Sequence, residues 1–168
     1  SHNRLFFVEP NGDYYTYDKR HTFTLADEHL TYTSGKELLT INFLGWKICP
    51  FICYDLRFPV WARNTCDYDL LIYTANWPQK RIHAWDTLLR ARAIENMAYC
   101  VGVNRTGKDD NLNQYNGHSA IYDVLGKQLT TTKNEGNFSE TTILEKAHIV
   151  KERAHFQFLS DRDHFTLN

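Results

Sequence analysis

Cys53 is the residue whose setting most clearly suits it for chemistry. It closes the segment Lys47-Ile-Cys-Pro-Phe-Ile-Cys53, and a polar break follows before Pro59 opens an amphipathic segment. A strand, an elbow and a helix in this order lift one side chain out of a sheet near a helix N-terminus, where the helix dipole favours a thiolate. A lone cysteine is more often a small buried hydrophobe. Here the surrounding segment favours a reactive thiol.

Lys19 and Glu28 are two further candidates, because each lies at or just beyond the end of a predicted strand. A thiol nucleophile needs a proton acceptor and a group that holds the tetrahedral oxyanion. A lysine can do the second, together with the backbone N–H of the residue after the nucleophile, Tyr54. Spacing alone does not decide the matter. Taken singly, Lys19 fits a solvated turn residue and Glu28 a surface acid.

Two other kinds of thiol site fit the sequence less well. Nothing in the placement of the eight histidines singles one out, and His21, two residues from Lys19, fits a structural hydrogen bond. The spacing of Cys49 and Cys53 is not that of a zinc knuckle, and strand periodicity places Cys49 in the core. We therefore expect a site without a metal.

Strands and one long helix must position these side chains. Asn11-Gly12 separates two apolar or aromatic runs and predicts a β-hairpin, since both turn residues must accept a positive φ. Helical spacing of apolar residues predicts that the longest helix runs from about Arg81 to Ala98. Strands and helices interleave, which indicates an α/β or α+β sandwich with a mixed sheet. The other predicted elements are strands at 38–43, 48–53, 70–73, 99–103 and 141–144, a second hairpin at 119–124 and 128–132, and short helices at 59–64 and 146–153.

Composition narrows the class of protein. The 168 residues suffice for one compact domain, and the formal net charge is −1, with 19 basic and 20 acidic residues. The charges form no long run of one sign, so we expect neither a nucleic-acid partner nor a membrane partner. The four cysteines include no C-x-x-C pair, and a reduced, cytoplasmic setting is the simplest expectation.

A series of motifs resembles the nitrilase superfamily of carbon–nitrogen hydrolases, and within it the bacterial omega-amidase-like proteins. The resemblance spans about Asn3 to Lys151, and the ordered series is far more specific than any one of its members. The motifs are Tyr17-Asp-Lys19-Arg-His-Thr-Phe23, Glu28-x-x-x-Tyr32-x-x-Gly35, Ile52-Cys53-Tyr-Asp-Leu-Arg-Phe-Pro59, Ala75-Asn-Trp-Pro78, Arg90-Ala-Arg-Ala-Ile-Glu-Asn96, Asn104-Arg-x-Gly107 and Tyr115-x-Gly117-x-Ser119.

The resemblance implies a four-layer α-β-β-α sandwich and a Glu–Lys–Cys triad that hydrolyses non-peptide C–N bonds without metal or organic cofactor. Carried over by motif, Cys53 is the nucleophile, and Lys19 stabilises the oxyanion and the developing charge of the leaving group. Glu28 matches a second family glutamate that orients the site and assists proton transfer. The family also implies a homodimer or a larger homo-oligomer.

Substrate contacts follow from the same resemblance. The backbone N–H of Tyr54 completes the oxyanion hole, and Trp77 lines the pocket. Arg57 fits two roles equally well, a contact to a substrate carboxylate or an ion-paired structural arginine like Arg92 with Glu95. The implied substrate is a small amide or the omega-amide of a 2-oxo acid, and ammonia is released through a thioester. Transfer of the acyl group to an amine is the alternative within this chemistry.

One feature of the family pattern has no counterpart. Its general base is a glutamate on an early strand, and Glu9, beside the Pro-Asn-Gly turn, does not match it. We therefore expect a single domain over 1–168 that is incomplete at its N-terminus, corresponds to the C-terminal two thirds of the family domain and is inactive without the missing segment. The aromatic tail, 154–168, is expected to pack on the body or on a partner subunit. The alternative function is a catalytically incompetent fragment or pseudoenzyme with a role in assembly.

Overall fold

A five-stranded mixed sheet forms the centre of the molecule. The computed structural model describes residues 1–131 and 136–167. Its strands are β3 Ile41–Phe43, β4 Trp46–Ile52, β5 Leu70–Ala75, β6 Tyr99–Asn104 and β9 Ala120–Tyr122. They lie in the order β3-β4-β5-β6-β9, in which β4, β5 and β6 are parallel and the two outer strands are antiparallel.

Two hairpins, three α-helices and three 3-10 helices complete the described elements. The hairpins are outside the central sheet and are antiparallel ribbons of two strands each. The strands are β1 Arg4–Val8, β2 Tyr14–Asp18, β7 Thr106–Lys108 and β8 Gln114–Asn116, and the helices are α1 Glu28–Thr31, α2 Ile82–Asn96 and α3 Lys146–Phe156.

The helix α2 is the crossover that lets β5 and β6 run parallel. It turns Trp85, Leu89 and Ala93 inward, and all three are fully buried. Gly102 on β6 allows the close approach, because an added Cβ would lie 2.3 Å from Leu89 Cδ1 and 2.7 Å from Trp85 Cζ2. Helix and sheet therefore form one core, and the carboxyl ends of β4 and β5 are left open at one edge.

Most predicted elements are confirmed. The mixed α/β sheet, the hairpin around Asn11-Gly12, the long helix and the helix that starts at Lys146 are present. Residues 141–144 form no strand, which corrects that prediction. The second predicted hairpin is reduced to β9 and one isolated bridge between Tyr122 and Gln128, and its last residue, 132, lies outside the described residues.

The helix predicted at 59–64 is wrong. A 3-10 helix, Cys53–Arg57, begins at the cysteine itself, and only turns follow it. The Asn64 side chain accepts from Tyr68 N at 2.9 Å and donates to Tyr68 O, while Asn64 N donates to the Asn96 side chain. Side-chain bonds of this kind compete with a helical ladder, and they fix the segment as an irregular loop.

Among the helices of residues 1–131 and 136–167, none combines the length and apolar character that a membrane-spanning segment requires.

Candidate active site

A cavity of about 640 Å³ lies at the carboxyl ends of β4 and β5. In an open α/β sheet this edge is where ligands bind. The cavity brings together six of the residues selected from the sequence, which are Lys19, Glu28, Cys53, Tyr54, Arg57 and Trp77.

Cys53 occupies the sharpest turn in this wall. It follows β4 directly and has a φ of 46°, in the left-handed region that favours glycine. The side chain is half-buried, and its Sγ lies 3.8 Å from the carbonyl oxygen of Asn76, to which it donates. A strained backbone at this point turns the thiol towards the cavity instead of the sheet.

Burial raises the pKa of the Cys53 thiol above its ordinary value, because a thiolate loses hydration there. The Lys19 ammonium and the hydrogen bond to Asn76 O act in the opposite direction, and Glu28 and Asp55 add to the rise. The expectation of a thiolate favoured by a helix dipole is therefore wrong. The helix that starts at Cys53 is a 3-10 helix of only five residues, and burial is the largest of the effects on this pKa.

Lys19 and Glu28 form a close ion pair beside the cysteine. Lys19 is 2% exposed, and its Nζ donates to Glu28 Oε2 at 2.5 Å. The same carboxylate oxygen accepts from Phe23 N at 2.6 Å, and Asn3 Nδ2 donates to the other oxygen at 3.4 Å. Glu28 is thus fixed by three donors, and it orients a lysine that is otherwise sealed from solvent.

Asp55 is a functional neighbour that the sequence analysis missed. It is fully buried two residues after the cysteine, and it accepts from Tyr17 Oη at 2.8 Å, from His21 N at 3.0 Å and from Ile52 N at 3.2 Å. His21 Nδ1 lies 2.8 Å from Asp55 Oδ1, the same oxygen that accepts from His21 N. The carboxylate therefore ties the chain on both sides of Lys19 to the turn that holds Cys53. An acid between Tyr54 and Leu56, two residues after Cys53, was the available signal.

His21 packs against Phe58 and does not line the cavity. The two rings are parallel, with centroids 3.6 Å apart. Together with its bonds to Asp55, this contact assigns His21 the structural hydrogen bond that its position suggested.

Arg57 stands over an aromatic ring and has no carboxylate partner among the described residues. Its guanidinium lies 4.8 Å from the centre of the buried Trp77 ring. Arg92, by contrast, is buried and paired with Glu95 at 2.9 Å. Of the two roles open to Arg57, the geometry disfavours the ion-paired one.

Tyr54 follows Cys53 as the second residue of the 3-10 helix. The first N–H groups of a helix have no acceptor within it, which suits the Tyr54 N–H for an oxyanion. The side chain packs between Phe23 and Phe58, with ring centroids 4.8 Å and 5.1 Å away.

The hairpin β7–β8 supplies a polar wall that the sequence analysis also missed. Asp109 accepts from Asn111 N, Asn113 N, Asn113 Nδ2 and Tyr115 Oη, all within 3.0 Å. The side-chain bonds from Asn113 and Tyr115 lower the pKa of Asp109 to about 2. Its oxygens are therefore occupied inside the hairpin.

A cluster of three or more His, Cys, Asp or Glu that could bind a metal is absent from residues 1–131 and 136–167.

Comparison with known proteins identifies a family. The family model described as carbon-nitrogen hydrolase matches residues 2–148. The chain is 47% identical to the omega-amidase YafV of Yersinia enterocolitica, over 98% of this chain and 64% of that protein. It is 36% identical to a 2-oxoglutaramate amidase of Bacillus subtilis, over 90% of this chain and 60% of that protein.

A solved structure agrees with these sequence matches. The crystal structure of XC1258 from Xanthomonas campestris, a CN-hydrolase superfamily protein with an arsenic adduct in its active site, superposes with a TM-score of 0.96. It shares 43% identity, over 99% of this chain and 66% of that chain. The chain thus spans about 64% of the length of the YafV relative and about two thirds of the superposed chain.

Proposed function

Since this chain belongs to the carbon–nitrogen hydrolase family, we propose that it carries the nucleophilic site of an enzyme that hydrolyses small amides through a thioester on Cys53. The observation that carries the proposal is that Cys53, Lys19 and Glu28 line one cavity, with the lysine and the glutamate already paired. A thiol, a fixed cation and a carboxylate are the groups that amide hydrolysis by a cysteine requires.

The first half-reaction forms the thioester. As Cys53 Sγ attacks the amide carbon, the S–H bond breaks and its proton passes to a base, the C–S bond forms, and the carbonyl π electron pair moves onto oxygen. Lys19 Nζ and the Tyr54 N–H stabilise the resulting oxyanion. When the carbonyl re-forms, the C–N bond breaks and the nitrogen takes up a proton and leaves as ammonia. Water then attacks the thioester, which releases the carboxylic acid and returns the proton to sulfur.

Proton transfer is the demanding part of this scheme. Because the pKa of Cys53 is raised, the thiol is protonated at neutral pH and needs an acceptor when it attacks. We assign Glu28 an assisting role. The separate general-base glutamate that the family resemblance implies has no match among the motifs of the 168 residues. We therefore keep the expectation that this chain by itself does not turn over an amide.

The proposed substrate is the omega-amide of a 2-oxo acid. Two relatives named for such chemistry, an omega-amidase and a 2-oxoglutaramate amidase, support this choice. Such a substrate carries a carboxylate at the end remote from the amide. Arg57, fixed over Trp77, is the side chain that we assign to it. The four-layer sandwich and the homodimer implied by the family remain predictions of the same proposal.

The test compares the cysteines of the chain as targets of iodoacetamide at pH 9, resolved by peptide mass spectrometry. We expect Cys53 to react at least tenfold faster than Cys66, which is also half-buried but lies outside the cavity. Glutaramate, a five-carbon omega-amide with one carboxylate, should protect Cys53 alone. Equal rates for the two cysteines would favour the assembly role instead.

A second measurement addresses turnover directly. Ammonia release from 2-oxoglutaramate is followed with the unchanged chain and with Cys53→Ala, and Cys66→Ala is the matched control. Release that depends on Cys53 would confirm the chemistry and disprove the expected inactivity of this chain. Release that survives Cys53→Ala would contradict the proposed mechanism.

A further inference from the structure

Arg81 lines the same cavity and has not been assigned a role. It ends the 3-10 helix Gln79–Arg81, immediately before α2. Its guanidinium lies 5.3 Å from the centre of the Phe23 ring, and its backbone carbonyl accepts from Trp77 Nε1 at 2.8 Å. Since Trp77 also carries the Arg57 guanidinium on its ring, one indole connects both arginines. Arg57 and Arg81 are called the guanidinium pair below.

Among the described residues, neither guanidinium of the pair has a carboxylate partner. Its lining contains three cations and two carboxylates. Glu28 is taken by Lys19, and Asp109 is saturated by four donors of its own hairpin. No ion pair involves Arg57 or Arg81 in the part of the chain that the structure describes. The guanidinium of each arginine lies over an aromatic face instead.

An aromatic support prepares a guanidinium for a carboxylate. The ring covers one face of the planar cation and fixes its orientation, while the N–H groups at its edge remain directed outwards. A carboxylate accepts two of these N–H groups side by side, which an uncharged amide or hydrocarbon end does not. A pair of such cations in a half-enclosed cavity favours an anionic ligand and discriminates against a neutral one of the same length.

We propose that Arg81 is a specificity-determining residue that, together with Arg57, binds the carboxylate on the acyl side of the substrate. The site then selects amides with an anionic remote end over neutral amides of equal length. This inference rests on the proposed function for the orientation of the substrate, but the preference for an anion is a property of the cavity itself. Arg81 is the better probe of the two, because Arg57 belongs to the helix that starts at Cys53.

The experiment uses two alkylating reagents of similar size and different charge, iodoacetate and iodoacetamide. The rate of Cys53 modification is measured with each, and the ratio is divided by the ratio for free N-acetylcysteine. Both reagents need the same thiolate, so the ratio cancels any change in the thiol pKa. We expect a normalised preference for iodoacetate of at least fivefold, which 0.5 M NaCl should reduce.

Three variants decide the role of Arg81. Arg81→Gln should lower the iodoacetate preference at least threefold, and Arg81→Lys should retain only part of it, because the charge stays but the two side-by-side N–H groups are lost. Arg90→Gln is the matched control. This arginine also stands over an aromatic ring, that of Tyr122 at 4.9 Å, but it does not line the cavity. Its substitution should leave the ratio within 1.5-fold.

Protection from iodoacetamide provides the second readout. Glutaramate and the neutral pentanamide, each with five carbons, compete for the cavity, and the concentration that halves the labelling rate is compared. Arg81→Gln should weaken protection by glutaramate about tenfold and leave pentanamide within twofold. Unchanged values for both ligands and an unchanged reagent ratio would overturn the inference. A different result would also overturn it. If Arg81→Gln weakens protection by both ligands and lowers the thermal midpoint, and Arg81→Lys restores the midpoint but not the preference for glutaramate, Arg81 has a structural role.

Failure of the proposed function remains distinguishable. If no Cys53-dependent acyl chemistry occurs and the charge preference still depends on Arg81, the amidase proposal fails and the anion preference stands. If Cys53 reacts as proposed and neither readout depends on Arg81, only the present inference fails.

Discussion

Two buried aspartates at opposite ends of the sheet satisfy their charges in different ways. Asp55 follows β4 at the carboxyl end, and its bonds come from Tyr17 Oη, two backbone N–H groups and His21. Asp69 precedes β5 at the amino end and accepts from the Lys146 ammonium at 2.8 Å. The guanidinium of Arg153 lies 3.6 Å from it.

The difference shows which charged side chains are paired within the protein and which face a cavity. At the amino end, cations from α3 are used to hold that helix against the sheet, and Arg162 in the tail pairs with Asp67. At the carboxyl end, mainly neutral donors satisfy the buried acid. Arg57 and Arg81 remain directed at a cavity. The cations of the amino end are therefore paired with carboxylates, whereas the carboxyl end holds one such pair, Lys19 with Glu28, and two arginines to which we assign a ligand.

The largest effect is expected for Asp55→Asn. The new amide group would face donors that now share two carboxylate oxygens, so at least two buried donors would lose their acceptor. The free energy of unfolding should fall by about 3 kcal/mol, and alkylation of Cys53 should slow more than tenfold as its turn loosens. Urea denaturation and peptide mass spectrometry measure the two. Normal labelling in a destabilised variant would show that Asp55 has no positioning role.

Asp69→Asn should lower stability without affecting Cys53, because Asp69 lies at the opposite end of the sheet. The Lys146 side chain is 46% exposed and regains water when its partner is neutralised, so the cost should be about 1–2 kcal/mol. The Cys53 labelling rate should stay within twofold. A labelling rate that changes more than twofold would mean that the two ends of the sheet are coupled, contrary to this comparison.

Glu28→Gln should increase the alkylation rate of Cys53 and at the same time decrease amide hydrolysis. The Glu28 charge raises the pKa of Cys53, so its removal lowers that pKa and increases the thiolate fraction below pH 9. Labelling at pH 7.5 should rise two- to fivefold, and any ammonia release should fall. Labelling rates measured over a pH series give the pKa of Cys53 in the variant. A pKa higher than that of the unchanged chain would contradict the prediction.

Tyr115→Phe should have the smallest effect. It removes one of the donors to Asp109, and the pKa of that carboxyl should rise from about 2 towards its ordinary value. Carboxyl-carbon NMR titration follows the change. The labelling rate of Cys53 should remain within twofold, because Asp109 keeps three other hydrogen bonds. A tenfold loss would place the Tyr115 hydroxyl among the groups that act on the reacting atoms.

Local patterns predicted the parts of the fold that depend on neighbouring residues. Apolar residues at helical spacing located α2, and Asn11-Gly12 located the first hairpin. Lys19, Glu28 and Cys53 came from ordered motifs, and the structure brings them into one cavity.

What the sequence did not predict depends on contacts between distant segments. Asp55 is bonded by residues from 17 to 21, and Arg81 acquires its setting from Phe23. The helical periodicity placed Arg81 at the start of a helix, and it does not predict where the side chain points. The raised pKa of Cys53 likewise follows from burial by the folded chain, which the local elbow motif does not specify.

The left-handed backbone of Cys53 has a consequence for how such a chain evolves. At φ 46° a glycine is less strained by about 1 kcal/mol, so Cys53→Gly should fold more stably than Cys53→Ala. A library selected only for resistance to heat or protease should therefore accumulate glycine at this position. Under the proposed mechanism, selection for folding and selection for chemistry would act against each other at this residue.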